Sequence, residues 1–270
     1  MPTKRQRRSE KKLKNAKKQK TKYPKLVRDI IFSSDIILQI LDARFPEQTR
    51  NHELEKEITK QNKRLIYVLN KSDLAQKKKV NLIPHVFVSS KTRVGVKRLR
   101  DLIKKEKKNI KKEPDEKTII GIIGYPNTGK SSLINVLTGK ASAKTGADAG
   151  FTKGIQKLKL TNEITLLDTP GVIPNSEYSG VKTSAIAEHT IVGGRSHSQV
   201  KNPEIVIHKI IKEFKGVLEK HYKLNAKGNS EIILEKLGIK FNFLKKGGEV
   251  DTDKTARKIL KDWQEGIIKI

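Results

Sequence analysis

The sequence has no cysteine, which excludes disulfide staples and thiolate metal sites and removes any argument for an oxidising compartment. Its six histidines are scattered, without an H-x-x-x-H pair or carboxylates at ligand spacing, so no histidine-based metal site is expected. Long apolar runs are missing too. The longest, IIFSSDIILQIL, is broken by Asp35, and no apolar signal-peptide core follows the charged N-terminus. A soluble, cytoplasmic, monomeric protein with no membrane partner is the expectation. Acidic residues are in short supply: 29 Asp and Glu stand against 59 Lys and Arg. The formal charge of +30 suits a protein that sits on a polyanion, RNA first among them.

At 270 residues the chain can bury a sizeable core, in one large or two modest domains. Residues 1–28 hold 13 Lys and Arg against one acid, with few large apolar side chains, and read as a basic arm that cannot fold alone. Across residues 29–178, the runs DIILQILDA, RLIYVLN, HVFVSS, TIIGIIGY, IQKLKL and ITLLDTP read as strands. Helical patterns at about 47–62, 95–109 and 130–138 alternate with them, which predicts an α/β fold with a mainly parallel sheet. The stretch KKEKKNIKKEPDEK at 104–117 ends a helix and becomes a connector at Pro114.

Residues 179–270 are expected to form a helical domain. One helix starts at Asn202-Pro203-Glu204 and carries Ile207, Ile210, Ile211, Phe214, Val217 and Leu218 at helical spacing; another runs from Ser230 to Leu237 and is stopped by Gly238. The last begins near Asp251, with Ala256, Ile259, Leu260 and Trp263 on one side and Lys254, Arg257, Lys258 and Lys261 on the other. That basic side is either a solvated face or an RNA surface, and Trp263 is either core or a platform for an unpaired base.

Two stretches carry chemistry. Gly124-Tyr125-Pro126-Asn127-Thr128-Gly129-Lys130-Ser131 fits G-x-x-x-x-G-K-[ST] between an expected strand and an expected helix. Such a loop turns backbone N–H groups toward phosphate oxygens, with the helix N-terminus beginning at Ser131 and Ser132 behind it. Lys130 would reach the β and γ phosphates and the Ser131 hydroxyl would bind Mg²⁺. The second stretch, NKSDL, ends a strand. Asp73 offers two acceptor oxygens to the N1–H and N2 amine of guanine, which adenine lacks at those positions. Asn70 would brace the loop, Lys71 would lie along the base, and the backbone amides of Ser89-Ser90-Lys91, ending the next strand, would reach the guanine O6. Taken alone, N-K-x-D is also a common turn sequence.

With these loops in hand, the chain resembles a Ras-type GTPase whose parts stand in a different order. The resemblance implies that Asp168 of DTPG holds Mg²⁺ through a water, that the Gly171 N–H meets the γ phosphate, and that Thr152 of GFTKG joins Ser131 on the metal. Lys130, Thr152 and Gly171 would then carry catalysis. The order, base loops before phosphate loop, resembles the circularly permuted GTPases of ribosome assembly, the YlqF/YawG type. The likeness extends over roughly 29–270. LDARFPEQTRN is similar to that family's D-A-R-x-P segment, and LKKGGEVDTDKTARKILKDWQEGII to its helical ending.

The resemblance implies a circularly permuted Ras-like sheet with a C-terminal helical domain, GTP and GDP as ligands, GTP hydrolysis, and rRNA on a maturing subunit, the large one first, as partner. Bacterial members carry P-G-H-M near the N-terminus; here no histidine precedes His52, so that element is not carried over, and the arm looks like archaeal or eukaryotic relatives. Val172 stands where a water-orienting glutamine is usual, and an aliphatic side chain cannot orient water. Hydrolysis is therefore expected to be slow until K⁺ held through Asn127, or a ribosomal activator, completes the site. Asn127 also reads as a residue that merely fits its turn. The competing class is a basic RNA-binding or assembly-chaperone scaffold with little turnover.

Overall fold

The computed structural model describes residues 25–75, 80–113, 115–139, 155–169 and 183–270. Six strands form one sheet: β1 (Ile36–Asp42), β2 (Arg64–Asn70), β3 (His85–Phe87), β4 (Thr118–Gly124), β5 (Gln156–Lys159) and β6 (Ile164–Asp168), in the order β3-β2-β1-β4-β6-β5. All pairings are parallel except that of β5 with β6 at the edge, where exposed residues alternate with half-buried ones. Strand β1 is buried along its whole length, Gln39 and Asp42 included, as a central parallel strand covered on both faces requires. The α/β expectation holds. Strands β1 and β4 pair directly, Ile36 beside Ile120, so the segments before and after the basic connector share one sheet. Lys112 of that connector pairs with Asp35 at 2.8 Å, just ahead of β1.

Four helices flank the sheet: α1 over 25–33, α2 (His52–Lys60), α3 (Val96–Lys108) and α4 (Lys130–Thr138). Helix α1 begins inside the segment read as a basic arm. Val27, Ile30 and Ile31, at helical spacing, are fully buried against the sheet, so packed structure starts ahead of residue 29. The helical pattern expected at 47–62 is split: a 3₁₀ turn at Glu47–Thr49 precedes α2, which begins where the Asn51 side chain accepts from the Leu54 amide.

The C-terminal part contains α5 (Thr183–Ile191), α6 (Pro203–Glu213), α7 (Val217–Tyr222), α8 (Ser230–Lys240) and α9 (Thr252–Glu265). Ile207, Ile210, Leu237, Ile259 and Trp263 belong to one apolar core, which also receives Phe45 and Tyr125 from the ends of β1 and β4. Trp263 is fully buried and its indole donates to the Ile191 carbonyl at 3.0 Å, so it is a core residue and not a stacking platform. The basic side of α9 is largely compensated: Arg257 pairs with Asp253, Lys258 with Asp262 and Lys261 with Glu265, each one turn on or back. Among the described residues, no helix is long and apolar enough to cross a membrane.

Two helix ends differ from expectation. The pattern from Pro203 to Leu218 is two helices, because Gly216 adopts a left-handed conformation (φ 74°) between them. Gly238 does not stop α8, which runs through it to Lys240. Its role is space: a Cβ there would lie 2.1 Å from Val250 Cγ1. Gly238→Ala is expected to destabilise the protein, because over-packing costs about 1–3 kcal/mol against a helix-propensity gain of about 1 kcal/mol. Adding Val250→Ala should restore the urea midpoint.

Candidate nucleotide-binding site

Because β2, β3, β4 and β6 run parallel, the segments that leave their carboxyl ends emerge at one edge of the sheet, where open α/β sheets bind ligands. NKSD follows β2, Ser89-Ser90-Lys91 follows β3, the phosphate loop follows β4, and Asp168 ends β6. Asn70 joins three of them. Its amide donates to the Thr128 carbonyl at 2.9 Å, while its Oδ1 accepts from the Ser90 amide at 3.1 Å and the Ser90 hydroxyl at 2.9 Å. Gly129 is required at that meeting point: its φ is 89°, and a Cβ would come within 2.4 Å of Asn70 Nδ2. A cleft of about 370 Å³ opens beside it, lined among others by Asn70, Lys71, Asp73, Ser90, Lys91 and Ser132.

The phosphate loop turns through Asn127, which has a left-handed φ of 59°, and its two ends are closed by the Thr128 hydroxyl donating to the Tyr125 carbonyl at 2.9 Å. Lys130 is buried and folds back on the loop, donating to the carbonyls of Gly124 at 3.1 Å and Tyr125 at 2.9 Å. Burial pushes its ammonium down to about 8, with the Asp168 charge opposing and Lys71 adding to the effect. Burial likewise pushes the Asp168 carboxyl up to about 6, against the pull of Lys130, the Thr169 amide and the Ser131 hydroxyl. Neither Asp168 oxygen has a well-formed hydrogen-bond partner among the described residues. A buried, under-satisfied carboxylate next to a hydroxyl and a cationic loop fits a divalent cation carried in with a polyphosphate.

A second layer of contacts was not legible as a site. Asp42, the last residue of β1, is buried; burial would raise its carboxyl, but the Lys71 charge and the Arg44 guanidinium outweigh that and hold it at about 2. Arg44 binds both Asp42 oxygens, at 3.0 and 2.8 Å, and Lys71 Nζ lies 2.9 Å from one of them. The same guanidinium donates to the Trp263 carbonyl of α9 at 2.9 Å. Next in sequence, Phe45 stacks on Trp263 with ring centroids 6.2 Å apart. The end of α9 reaches the base-loop cleft, which Gln264 and Glu265 help to line, and Gly266 leaves room for Leu74. The D-A-R-x-P segment was noticed, yet nothing local ties it to a helix more than 200 residues later.

Several residues of the expected site also hold contacts within the fold. Tyr125 points its ring away from the cleft and pairs through its hydroxyl with His189 of α5, and the Asn127 amide donates to the Gly193 carbonyl at 2.8 Å. Both residues therefore fasten the phosphate loop to the helical part. The Ser89 amide is spent on the Val94 carbonyl and the Ser90 amide on Asn70, so of the trio only the Lys91 amide has no partner among the described residues. Ser89 instead caps its turn through Oγ, accepting from the Thr92 amide at 3.0 Å. Pro126 is buried within the loop. Thr152, Gly171 and Val172 lie outside the described residues.

Residues 119–235 match the family described as 50S ribosome-binding GTPase, a match that begins in β4 and leaves the base loops ahead of it. An uncharacterized GTP-binding protein of Methanocaldococcus jannaschii is 42% identical over 252 residues, covering 90% of this chain and 65% of that protein. Nucleolar GTP-binding protein 2 of Neurospora crassa is 34% identical over 252 residues, covering 88% of this chain and 40% of that one. Among solved structures, GNP-bound YlqF from T. maritima shares the fold with a TM-score of 0.63 at 21% identity, over 92% of this chain and 95% of that one. The chain has the fold of the circularly permuted GTPases, and the proteins it resembles in sequence are GTP-binding proteins by name. It spans less than two thirds of the length of these two curated relatives.

In this GTPase fold the selectivity of the base cleft is open to a direct test. Asp73→Asn replaces one acceptor oxygen by a donor, which meets the N2 amine of guanine donor to donor but suits the O2 of xanthine. GDP affinity is expected to fall about 100-fold and XDP affinity to rise, given about 1–3 kcal/mol for an unmatched buried polar group. Equal GDP binding by the two proteins, in a competition assay, would remove Asp73 from base recognition.

Proposed function

We propose that the protein binds GTP, hydrolyses it to GDP and phosphate, and uses the difference to switch its hold on rRNA during assembly of a ribosomal subunit, the large one first. The observation that carries the reading is the Asn70 junction, which unites a guanine-type loop and a phosphate loop in one cleft despite their reversed order. Asp73 would select guanine, Lys71 would lie along the base, and Lys130 would leave its loop carbonyls for the β and γ phosphates. Ser131 and Asp168, with Thr152, would hold Mg²⁺, which neutralises charge on the phosphate oxygens when bound. Water attacks the γ phosphorus, the bond to the β–γ bridging oxygen breaks, and the displaced charge is taken up by GDP. Lys130 and the Gly171 amide would face that charge.

With Val172 in place of a glutamine, water is left to an outside group, K⁺ beside Asn127 or a ribosomal activator. The Asn127 amide is already committed to Gly193, so only its oxygen is left for a cation. The charge of +30 supports rRNA as partner, and the ties from Tyr125 and Asn127 to the helical part support a readout of the nucleotide state by domain position. The protein would act as a cytoplasmic monomer.

GTP turnover measured in KCl and NaCl, with and without purified ribosomal subunits, tests this. Stimulation by subunits, with co-sedimentation in a GTP analogue and release in GDP, is the expected result; nucleotide-independent sedimentation without turnover would favour the scaffold reading. Equal rates in the two salts would remove K⁺.

A further inference from the structure

On the helical part, away from the nucleotide cleft, a groove of about 750 Å³ lies between α6, α8 and the turn that ends at Val250. Its walls expose two large aliphatic side chains, Ile205 at 42% and Ile239 at 62%, with Leu234 buried beneath. Around these stand Glu204, Glu231, Glu235 and Glu249. Not one lining residue is Lys or Arg, although those types make up 59 of the chain's 270 residues.

The four carboxylates also form no ion pair among the described residues, whereas Glu188 and Glu213 nearby in sequence share Lys209. Among the described residues, the Glu204 carboxylate accepts from the Thr252 hydroxyl alone. An uncompensated acidic rim on an otherwise cationic surface repels phosphate, and the lining has no Phe, Tyr or Trp on which a base could stack. RNA is thereby disfavoured at this face. Acid around an aliphatic trough is complementary to a helix with aliphatic anchors along one side and Lys or Arg along its flanks.

We propose that this groove docks a cationic polypeptide segment with aliphatic anchors, supplied by a partner protein. Resting on the proposed function, a protein that shares a polyanion with this chain is expected to offer basic segments, and the chain's net charge of +30 disfavours them away from an acidic rim, so the groove would confer location as well as affinity. The chain's own residues 1–24 supply eleven Lys and Arg but a single leucine, a poor match for a trough that offers two aliphatic walls.

The test uses the full-length protein and a fluorescent peptide of about 14 residues with leucine at positions i, i+3, i+4 and i+7 and lysine elsewhere. Anisotropy is expected to report binding that weakens about tenfold or more in Glu231→Lys/Glu235→Lys and again in Ile239→Ser, while GTP-analogue affinity stays unchanged. A peptide with glutamate at every lysine position should not bind. Four results would overturn the proposal: no binding by the lysine peptide, equal binding by the charge-reversed protein, displacement of the peptide by poly-U RNA, or a tenfold gain on removing residues 1–24, which would give the groove to the arm.

Discussion

Replacing Lys130 by methionine is expected to weaken GTP binding by about 100- to 10,000-fold, and GDP binding by less, while leaving the nucleotide-free protein at least as stable at pH 7. The loss follows from two charge-assisted hydrogen bonds to phosphate, at about 1.5–3 kcal/mol each. The stability effect has a separate cause. In the free protein the ammonium is buried against two carbonyls and held at about 8, below its usual 10.5, so the fold carries a cation that is cheaper to protonate in the unfolded chain. That difference corresponds to about 3 kcal/mol below pH 8. Between about 8 and 10.5 the unfolded chain binds the extra proton, and wild-type stability should rise with pH. The methionine variant should lack that rise. Part of its gain at pH 7 is returned, because Asp168 loses the charge that restrains its own upward shift. Urea unfolding from pH 7 to 10.5 and fluorescent-nucleotide titration read the two effects separately. A methionine variant that binds GDP normally would place Lys130 outside the phosphate site.

Arg44→Ala is expected to cost about 3–5 kcal/mol in unfolding free energy, the range for removing one partner of a buried ion pair. Both side chains are almost wholly buried, at 2% and 1% exposure for Arg44 and Asp42, so water cannot replace the guanidinium. Lys71 would be left as the one cation on Asp42 among the described residues, and the Trp263 carbonyl would keep the Gly266 amide but lose its charged donor. Since the end of α9 lines the base cleft, GDP affinity should fall with stability. Arg44→Lys should recover only a part, since one ammonium cannot span both Asp42 oxygens and the Trp263 carbonyl. Acid titration gives a second readout. Asp42, held at about 2 against 3.8, contributes stability that is complete above its unfolded value and is lost as pH falls toward 2, and the alanine variant should lose it at higher pH. An alanine variant with an unchanged urea midpoint would show that the Asp42 cluster does not fasten α9.

Much of the fold was readable because its signals are local. The short, mostly aliphatic runs that became β1, β2, β4 and β6, alternating with helical patterns, point to a sheet covered on both faces, and Lys130–Thr138 follows the phosphate loop with the bounds its pattern predicts. The stripe Ala256, Ile259, Leu260 and Trp263 is fully buried, as its spacing requires. Errors came where a local signal was overruled by a distant neighbour. Gly238 looks like a stop signal but makes room for Val250, and the charge of residues 1–28 hid Val27, whose burial depends on the sheet it packs against. Among site residues, Asn70 was expected to brace its own loop; its bonds to Thr128 and Ser90 link it to two others. Loop membership, which placed Tyr125 and Asn127 at the nucleotide, says nothing of side-chain direction; their side chains meet His189 and Gly193 while their backbone stays in the phosphate loop.

What could be read without coordinates is the expected chemistry: a phosphate-loop pattern, a carboxylate in a guanine-type loop, and a surplus of cations. These follow from residue types at short spacing, which survive any rearrangement of the chain. Folding in three dimensions settled which groups stand face to face, since Asn70 meets Thr128 across 58 residues and Arg44 meets Trp263 across 219. Contacts of that span arise from parallel strands ending at one edge and from helices laid over it, and no periodicity within a segment encodes them.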